Sequence, residues 1–337
     1  MSCLVWPMYI AGSIITALLC TIMFDRLHHY LYAQSSIFHI LAKLCYPIHD
    51  ILQAQGDNPM PKLLNENETA QFHREGYIFP IKILDDEQIS FNRSLLERFE
   101  SAQGKPIGGA QRNKSHLLFK WVDDLMRHAM ILDAVEDLIG PDILCWNTLF
   151  WIKEAGSESF VSWHQDLRYW GLDTDDLVSV WLALSPATPE SGCMRVLPGS
   201  HRGDLLPHKD GYELDNLLTR GQEIAVQVDE TKTVEMPLQA GEISLHNVRL
   251  AHASGPNRST DRRIGLSLHY MPTRAKQTVG EWDSAALVRG KDRFGHFSIT
   301  PRPSRDLDPV TVSFHEKATT AVREVLFKDA EKVRETL

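Results

Sequence analysis

The chain has 337 residues, of which 43% are hydrophobic and 23% charged. That composition can supply the buried core of one large or two small globular domains. The formal net charge of -9 comes from acidic residues scattered along the chain, and no stripe of Lys and Arg suits a nucleic-acid backbone. A nucleic-acid-binding function is therefore not expected.

The five cysteines are Cys3, Cys20, Cys45, Cys145 and Cys193. None of them forms a Cys-x-x-Cys pair, and two lie in or beside an apolar N-terminal run. This usage predicts no disulfide framework and fits a reducing compartment.

The N-terminal segment Leu4–Phe24, LVWPMYIAGSIITALLCTIMF, carries no charged residue. About 20 apolar residues are enough for a helix to cross the hydrocarbon core of a bilayer. A signal peptide and a buried helix are the alternatives, but a basic leading region and a small-residue cleavage site are both missing. We therefore predict a membrane anchor over residues 1–26.

Residues 27–65 are predicted to be an amphipathic segment followed by a linker. Residues 27–56 repeat apolar positions at roughly helical spacing, which fits a helix lying on a membrane surface or packed on the domain. The stretch GDNPMPKLLNENE that follows contains two prolines and several polar residues, as linkers do. We place the folded domain at residues 66–337.

The first part of this domain is predicted to be mostly helical. Gly76 can end a first helix, Tyr77–Leu84 is rich in strand-forming residues, and Asp85 can cap the next helix. A further helix over His116–Ile139 would end at Gly140. These elements predict a helical layer on one side of the domain.

The pattern then changes to short strands. They are predicted at Ile143–Ile152, Phe160–Tyr169, Leu177–Leu184, Met194–Leu197, Glu223–Val228, Glu242–His252 and Ile264–Met271. Glu281–Arg305 is predicted to be rich in loops, and Val310–Leu337 to form a closing helix. Seven or eight short strands behind a helical layer predict an antiparallel sandwich or barrel.

The stretch SWHQDLRYW places His164 and Asp166 two residues apart in a strand-like run. On an extended strand these positions face the same side, so an imidazole and a carboxylate can reach one metal ion. His-x-Asp is common by chance, and alone it is a weak indication.

A second element, LAHASGPNRSTDRRIG, supplies a further histidine and a cation. His252 ends a strand pattern, SGPN forms a turn, and Arg263 opens the returning strand. Two histidines and one carboxylate on one face of an ion form the facial triad of non-haem Fe(II) oxygenases, which leaves positions open for a co-substrate and dioxygen.

Four stretches together resemble the successive motifs of the phytanoyl-CoA dioxygenase family: WHQDLRYW, DDLVSVWLAL, ESGCMRVLPGSHR and GEISLHNVRLAHASGPNRSTDRRIGLSLHYMP. The similarity runs from about Thr69 to Pro272. It implies an oxygenase that depends on Fe(II) and uses 2-oxoglutarate and O2 as co-substrates. It also implies a mainly β fold with flanking helices and a double-stranded β-helix core of jelly-roll or cupin-like type, here preceded by the N-terminal transmembrane helix.

The resemblance assigns roles to six residues. His164, Asp166 and His252 match the iron ligands. Arg263 matches the residue that binds the far carboxylate of 2-oxoglutarate, Ser254 a second contact to that carboxylate, and Trp181 an aromatic residue that lines the co-substrate pocket. Core packing is an equally good reading of Trp181.

Three other residues compete with the assigned metal ligands. His208 and Asp210 form a second His-x-Asp pair, but Pro207 and Gly211 on either side indicate a loop. His246 lies six residues before His252, roughly 20 Å away along a single strand, so both cannot bind one ion.

Two basic residues, Arg262 and Lys153, also lie near the predicted site. Arg262 is one step out of register with Arg263 and is expected on the opposite face of the strand. Lys153 precedes the AGSESF loop, and a solvated surface position is the default for it, with a position facing the substrate entrance as the alternative.

The expected reaction is hydroxylation or another oxidation of a C–H bond, with release of succinate and CO2. Asp166 argues against halogenation, because halogenating relatives lack this carboxylate. The membrane anchor suggests an apolar small molecule, lipid or secondary metabolite as the substrate. A degenerate, membrane-tethered binding protein of the same fold is the alternative.

The expected localisation is a single-pass protein of the endoplasmic reticulum or another internal membrane, with the catalytic domain facing the cytosol, where Fe(II) and 2-oxoglutarate are abundant. Glycosylation sequons at Asn67, Asn92, Asn113 and Asn257 would favour a lumenal domain. Since a glycan on Asn257 would crowd the site that follows His252, these matches are interpreted as chance.

Overall fold

The computed structural model describes residues 62–332. The predicted anchor and most of the predicted amphipathic segment and linker lie outside these residues. Within residues 62–332, no helix is both long enough and apolar enough to cross a bilayer. This finding corrects the predicted fold class and the single-pass membrane localisation, since the described domain contains no transmembrane helix, and it gives no support to the membrane as a partner.

Six α-helices flank the described domain. They are α1 (Glu66–Glu75), α2 (Asp86–Gln103), α3 (Lys120–Met126), α4 (Ala129–Ile139), α5 (Leu167–Trp170) and α6 (Pro309–Leu326). Asp85 caps α2 as predicted, because its side chain accepts a hydrogen bond from the backbone N–H of Gln88. Gly76 ends α1 with a left-handed backbone, φ 88°, which a glycine adopts without strain.

The single helix predicted over His116–Ile139 is wrong, because it is divided into a 3₁₀ turn, α3 and α4. The backbone of His128 is extended between the two α-helices. No glycine or proline lies at this break, so the sequence carries no signal for it.

Thirteen β-strands are found in residues 62–332. They are β1 (Tyr77–Lys82), β2 (Ile143–Lys153), β3 (Val161–His164), β4 (Val178–Ala183), β5 (Met194–Val196), β6 (His208–Lys209), β7 (Glu223–Ile224), β8 (Val234–Met236), β9 (Glu242–Asn247), β10 (His252–Ser254), β11 (Arg263–Pro272), β12 (Ser284–Arg289) and β13 (Ser298–Ile299). β12 and β13 fall in the segment that was predicted to be loop.

The strands form two main sheets. The larger has the order β1-β9-β4-β11-β2-β12-β13 and the smaller the order β3-β10-β5-β8. Pairing within both is antiparallel except between β12 and β13. A cavity is lined by residues of both sheets. The domain is thus mainly β, with two facing sheets, as in a jelly roll.

Alternation along the strands of the larger sheet separates the core from the cavity. Val180 of β4 and Leu266 of β11 belong to the apolar core that the helices share with the sheet. Trp181, Ser267 and His269, on the alternate positions, line the cavity. Because successive side chains of a strand point to opposite faces, one sheet supplies both the core and one wall of the cavity.

The strand predicted over Glu242–His252 is interrupted. β9 ends at Asn247 and β10 begins at His252, and the two strands belong to different sheets. The Asn247 side chain accepts a hydrogen bond from the backbone of Arg249 at 2.9 Å, which stabilises the intervening turn. The chain therefore folds back, and the two ends of this segment approach each other.

The strand predicted over Phe160–Tyr169 is also shorter than expected. β3 ends at His164, and α5 begins at Leu167. Asp166 has helical backbone angles, φ -57° and ψ -48°. Its side chain therefore reaches the side of His164 through a turn rather than through strand alternation.

Candidate metal centre

The cavity between the two sheets contains the polar residues that the motifs singled out. Its lining is Trp151, Val161, His164, Asp166, Trp181, Met194, His246, His252, Ala253, Ser254, Arg263, Ser267 and His269. Five of the six assigned residues lie on its polar side and the sixth, Trp181, forms part of its wall. Trp151, Val161 and Met194 give the remainder of the wall an apolar character.

His164, Asp166 and His252 offer one possible ligand atom each, and these atoms lie within 4.8 Å of one another. β3 and β10 bring the two histidines together, because they are directly paired across the ladder. Their ring centroids are 4.1 Å apart. The Asp166 Oδ1 lies 3.4 Å from the His164 Nε2.

Backbone carbonyls fix the orientation of both imidazoles. The Nδ1 of His164 lies 2.9 Å from the Ser162 carbonyl oxygen, and the Nδ1 of His252 lies 2.9 Å from that of Leu250. A carbonyl only accepts, so each Nδ1 carries the proton and each Nε2 has a free lone pair. The His164 Nε2 is buried and has no hydrogen-bond partner. This is the state in which histidine binds a metal.

The electrostatics keep the three groups in the forms that bind a cation. Burial, followed by the neighbouring His164, lowers the pKa of His252 well below its usual value, so the ring is neutral. Burial alone would raise the pKa of Asp166, but the neighbouring imidazoles of His164 and His246 lower it well below the usual range. A cation is thus offered the neutral imidazole of His252, the unpartnered Nε2 of His164 and one carboxylate.

Ser179 and His269 support the carboxylate from behind. The Ser179 hydroxyl lies 3.4 Å from the Asp166 Oδ2 and 2.9 Å from the Nδ1 of His269. Burial lowers the pKa of His269 to about 4, so this ring is neutral as well. The motifs did not single out either residue, although both occupy cavity-facing positions of predicted strands.

His246 lies closer to the site than the strand prediction allowed. Its ring centroid is 4.8 Å from that of His252, and its Nε2 is 3.9 Å from the Asp166 Oδ2. The expected separation assumed one continuous strand, and the turn after Asn247 removes that separation. His246 nevertheless does not belong to the three-residue group that can hold a metal.

Arg263 and Trp181 form the other end of the cavity. The Arg263 guanidinium lies 5.3 Å from the centre of the Trp181 ring, and its Nη1 donates to the Gly192 carbonyl at 2.8 Å. A Cβ atom on Gly265 would lie 1.9 Å from the Trp181 ring, so the indole lies directly on the backbone of β11. Trp181 therefore packs in a buried apolar cluster and also lines the cavity, which are the two positions considered for it.

The neighbouring Arg262 lies on the opposite face, as predicted. It forms ion pairs with Glu100 at 2.5 Å and with Glu154 at 2.7 Å. Strand alternation thus directs the side chain of Arg262 to its two glutamate partners and the side chain of Arg263 into the cavity.

Lys153 and Asn257 are buried and do not lie on the surface. The prediction of a solvated Lys153 is wrong, because this side chain is fully buried. Asn257 is also fully buried, and its amide donates to the carbonyls of Lys153, Glu154 and Asp261. An asparagine bound in this way has no free amide for a glycan, which agrees with the reading of its sequon as chance.

The chain is similar to a known protein family and to proteins of known activity. The family model described as phytanoyl-CoA dioxygenase matches residues 53–265, more than half of the chain. A probable alpha-ketoglutarate-dependent hypophosphite dioxygenase of Stutzerimonas stutzeri is 30% identical over 187 residues. That match covers 54% of this chain and 64% of the relative, so this chain spans slightly less than two thirds of the relative's length.

Solved structures give the same picture. The apo form of ThoJ, a non-heme monooxygenase, is 36% identical with a TM-score of 0.68, and the match covers 77% of this chain and 97% of ThoJ. CytC3 with Fe(II) and alpha-ketoglutarate has a TM-score of 0.55 at 24% identity, covering 74% of this chain and 96% of CytC3, which is a likeness of fold.

The chain belongs to the phytanoyl-CoA dioxygenase family, and the matched region is a 2-oxoglutarate-dependent dioxygenase domain that uses Fe(II), 2-oxoglutarate and O2. The residues present fit Fe(II). The fit depends on the two carbonyl-anchored imidazoles with free Nε2 lone pairs and on the carboxylate beside them.

Proposed function

We propose that this member of the phytanoyl-CoA dioxygenase family binds Fe(II) through His164, Asp166 and His252 and oxidises a C–H bond of an apolar small molecule, lipid or secondary metabolite. Hydroxylation is the simplest outcome, with release of succinate and CO2. We place the catalytic domain at residues 66–337. The single observation that carries the proposal is the convergence of two imidazoles and one carboxylate, whose possible ligand atoms lie within 4.8 Å of one another.

Bound Fe(II) supplies the redox chemistry with dioxygen. The protein binds and orients the reactants. We assign the distal carboxylate of 2-oxoglutarate to Arg263 and Ser254, and the wall beside it to Trp181. A planar guanidinium suits a carboxylate, because it donates two parallel hydrogen bonds and keeps its charge when buried.

Two features support the choice of reaction and substrate. Asp166 occupies the position whose carboxylate is missing in halogenating relatives, which supports oxygenation. Trp151, Val161 and Met194 leave an apolar wall beside the polar groups, and this wall suits a hydrocarbon part of a substrate better than a small oxyanion. The intact set of donors opposes a degenerate binding protein.

Release of succinate in the absence of a substrate tests the proposed ligands. The purified full chain is incubated with Fe(II), 2-oxoglutarate and O2, beside the variants His164→Ala and His208→Ala. We expect release by the wild type and by His208→Ala, and none by His164→Ala. Equal release by the wild type and His164→Ala would contradict the proposed ligand set.

The substrate class is tested by stimulation of that release. Apolar candidates, such as long-chain fatty acyl derivatives and terpenoids, are compared with small oxyanions at equal concentrations. We expect the apolar compounds to increase the rate of succinate formation and to be recovered with one added oxygen atom. Stimulation by oxyanions alone would exclude the proposed substrate class and leave the ligand set intact.

A further inference from the structure

Lys153 is the last residue of β2 and lies directly opposite Arg263, the first residue of β11. Both side chains are buried, with 0% and 3% of their surface exposed. Like charges placed opposite each other on neighbouring strands destabilise a sheet. Two buried basic groups in register therefore call for a compensating partner.

The described chain provides neutral contacts only. The Lys153 Nζ donates to the Ser254 Oγ at 2.6 Å and to the Gly255 carbonyl oxygen. Arg263 donates to the Gly192 carbonyl, and its Nε has no partner. Across residues 62–332, neither side chain forms an ion pair with a carboxylate of the protein.

The pKa values of both groups are lowered, which reflects the cost of burying two positive charges side by side. Burial, and then the charge of Arg263, lowers the pKa of Lys153 to about 6. Burial likewise lowers the pKa of Arg263 to about 10. Both directions mean that the positive forms lack a nearby anion. A bound anion would reverse the effect on each group.

The contact to Ser254 also determines the direction of a hydrogen atom. With an anion bound nearby, Lys153 is an ammonium, which has three donors and no acceptor, so the Ser254 oxygen must then accept from it. The hydroxyl hydrogen of Ser254 is then free to point elsewhere. Ser254 lines the cavity together with Arg263, so that hydrogen can be donated to a ligand between the two.

We propose that Lys153 is a positioning residue for the distal carboxylate of 2-oxoglutarate: it fixes Ser254 as a donor into the cavity and adds a second positive charge behind Arg263. It thereby selects 2-oxo acids that carry a second carboxylate over those that lack one. This inference rests on the proposed function, because it assigns the co-substrate to the same cavity.

The test compares two ligands that share the 2-oxo acid end. Dissociation constants of 2-oxoglutarate and of 2-oxobutanoate, which lacks the distal carboxylate, are measured by calorimetry on the full chain loaded with Mn(II). We expect Lys153→Met to weaken 2-oxoglutarate binding by about 10-fold or more, the effect of losing a charge-assisted hydrogen bond. The affinity for 2-oxobutanoate should not change.

Lys82→Met is the matched control. Lys82 is also the last residue of its strand, and its ammonium donates to the Ala240 carbonyl at 3.0 Å, but the side chain is exposed. This variant should bind both ligands as the wild type does. Lys153→Gln keeps a hydrogen-bond donor without the charge, and it serves for the same comparison if Lys153→Met does not fold.

A double-mutant cycle tests the path through Ser254. If Lys153 acts by orienting that hydroxyl, Ser254→Ala and Lys153→Met together should weaken 2-oxoglutarate binding less than the product of their separate effects. Full additivity would show that Lys153 does not act through Ser254 and would overturn the positioning role.

The remaining outcomes separate the inference from the proposed function. If the wild type binds neither 2-oxo acid, the proposed function fails. If the wild type binds 2-oxoglutarate and Lys153→Met binds it equally well, only the role of Lys153 fails. Equal loss of both ligands in Lys153→Met would indicate a structural role and would also overturn the inference.

Discussion

The chain contains the pattern His-x-Asp twice, and the structure gives the two copies different surroundings. In the first copy, the His164 Nε2 has no hydrogen-bond partner, and Asp166 faces imidazoles. In the second copy, the His208 Nε2 accepts a hydrogen bond from the backbone of Gln165 at 3.1 Å, and its Nδ1 donates to the Leu206 carbonyl. The second imidazole therefore has no nitrogen left for a metal.

The two aspartates differ in the same way. Asp210 forms a close ion pair with Arg220, and both side chains are mostly buried. Among residues 62–332, Asp166 has no Lys or Arg partner, and it lies beside the Ser179 hydroxyl and the imidazoles of His164 and His246. The comparison shows that the pattern alone does not make a metal site. Unoccupied donor atoms that converge with a third residue, here His252, distinguish the first copy.

Removal of the first histidine of each copy should show the largest difference. His164→Ala is expected to weaken Mn(II) binding by at least about 100-fold, because loss of a ligand exceeds the effect of losing its supporting contacts. His208→Ala should bind Mn(II) as the wild type does. Equilibrium dialysis measures both affinities, and a similar loss in the two variants would remove the distinction between the copies.

Neutralising the second aspartate should affect stability and leave metal binding unchanged. Asp210→Asn leaves the mostly buried Arg220 without its carboxylate, so we expect the free energy of unfolding to fall by about 2 kcal/mol. Urea denaturation measures this change. A loss of Mn(II) affinity in Asp210→Asn would place the second copy in the metal site.

The middle residues of the two copies should give the smallest and most instructive contrast. Gln165 is fully buried, and its side-chain amide bonds to the backbone of Leu206 and Arg249. Gln165→Met should reduce the free energy of unfolding by about 1 kcal/mol, because two partly buried backbone groups lose their partner.

Lys209, in contrast, is exposed and pairs with Glu223 at 2.9 Å. Lys209→Met should produce no measurable change, since exposed ion pairs contribute little to stability. Equal urea midpoints for the Gln165 and Lys209 variants would contradict the view that only the first copy is anchored in the core.

The sequence predicted the parts of the site that depend on strand alternation and on motifs. Arg262 and Arg263 were placed on opposite faces correctly, because side chains already alternate where the chain enters β11. The motif residues His164, Asp166 and His252 do come together. The first result rests on strand periodicity and the second on the motifs, because Asp166 reaches His164 through a turn and not through strand alternation.

The sequence did not predict the parts that depend on where strands end. Neither a glycine nor a proline marks the end of β9 at Asn247, and His246 was therefore placed too far from His252. Lys153 was taken for a surface lysine because a strand-terminal lysine usually is one. Its burial follows from the end of β10 and the turn after it, where Ser254 and Gly255 contact the Lys153 Nζ.

The most direct test of the account is the absorption spectrum of the Fe(II)-loaded chain without oxygen. A 2-oxo acid that binds Fe(II) through its keto oxygen and one carboxylate oxygen produces a visible charge-transfer band. We predict that 2-oxoglutarate produces this band in the wild type and in His208→Ala, and not in His164→Ala or Asp166→Ala. A band of equal intensity in His164→Ala, or none in the wild type, would contradict the proposed metal centre.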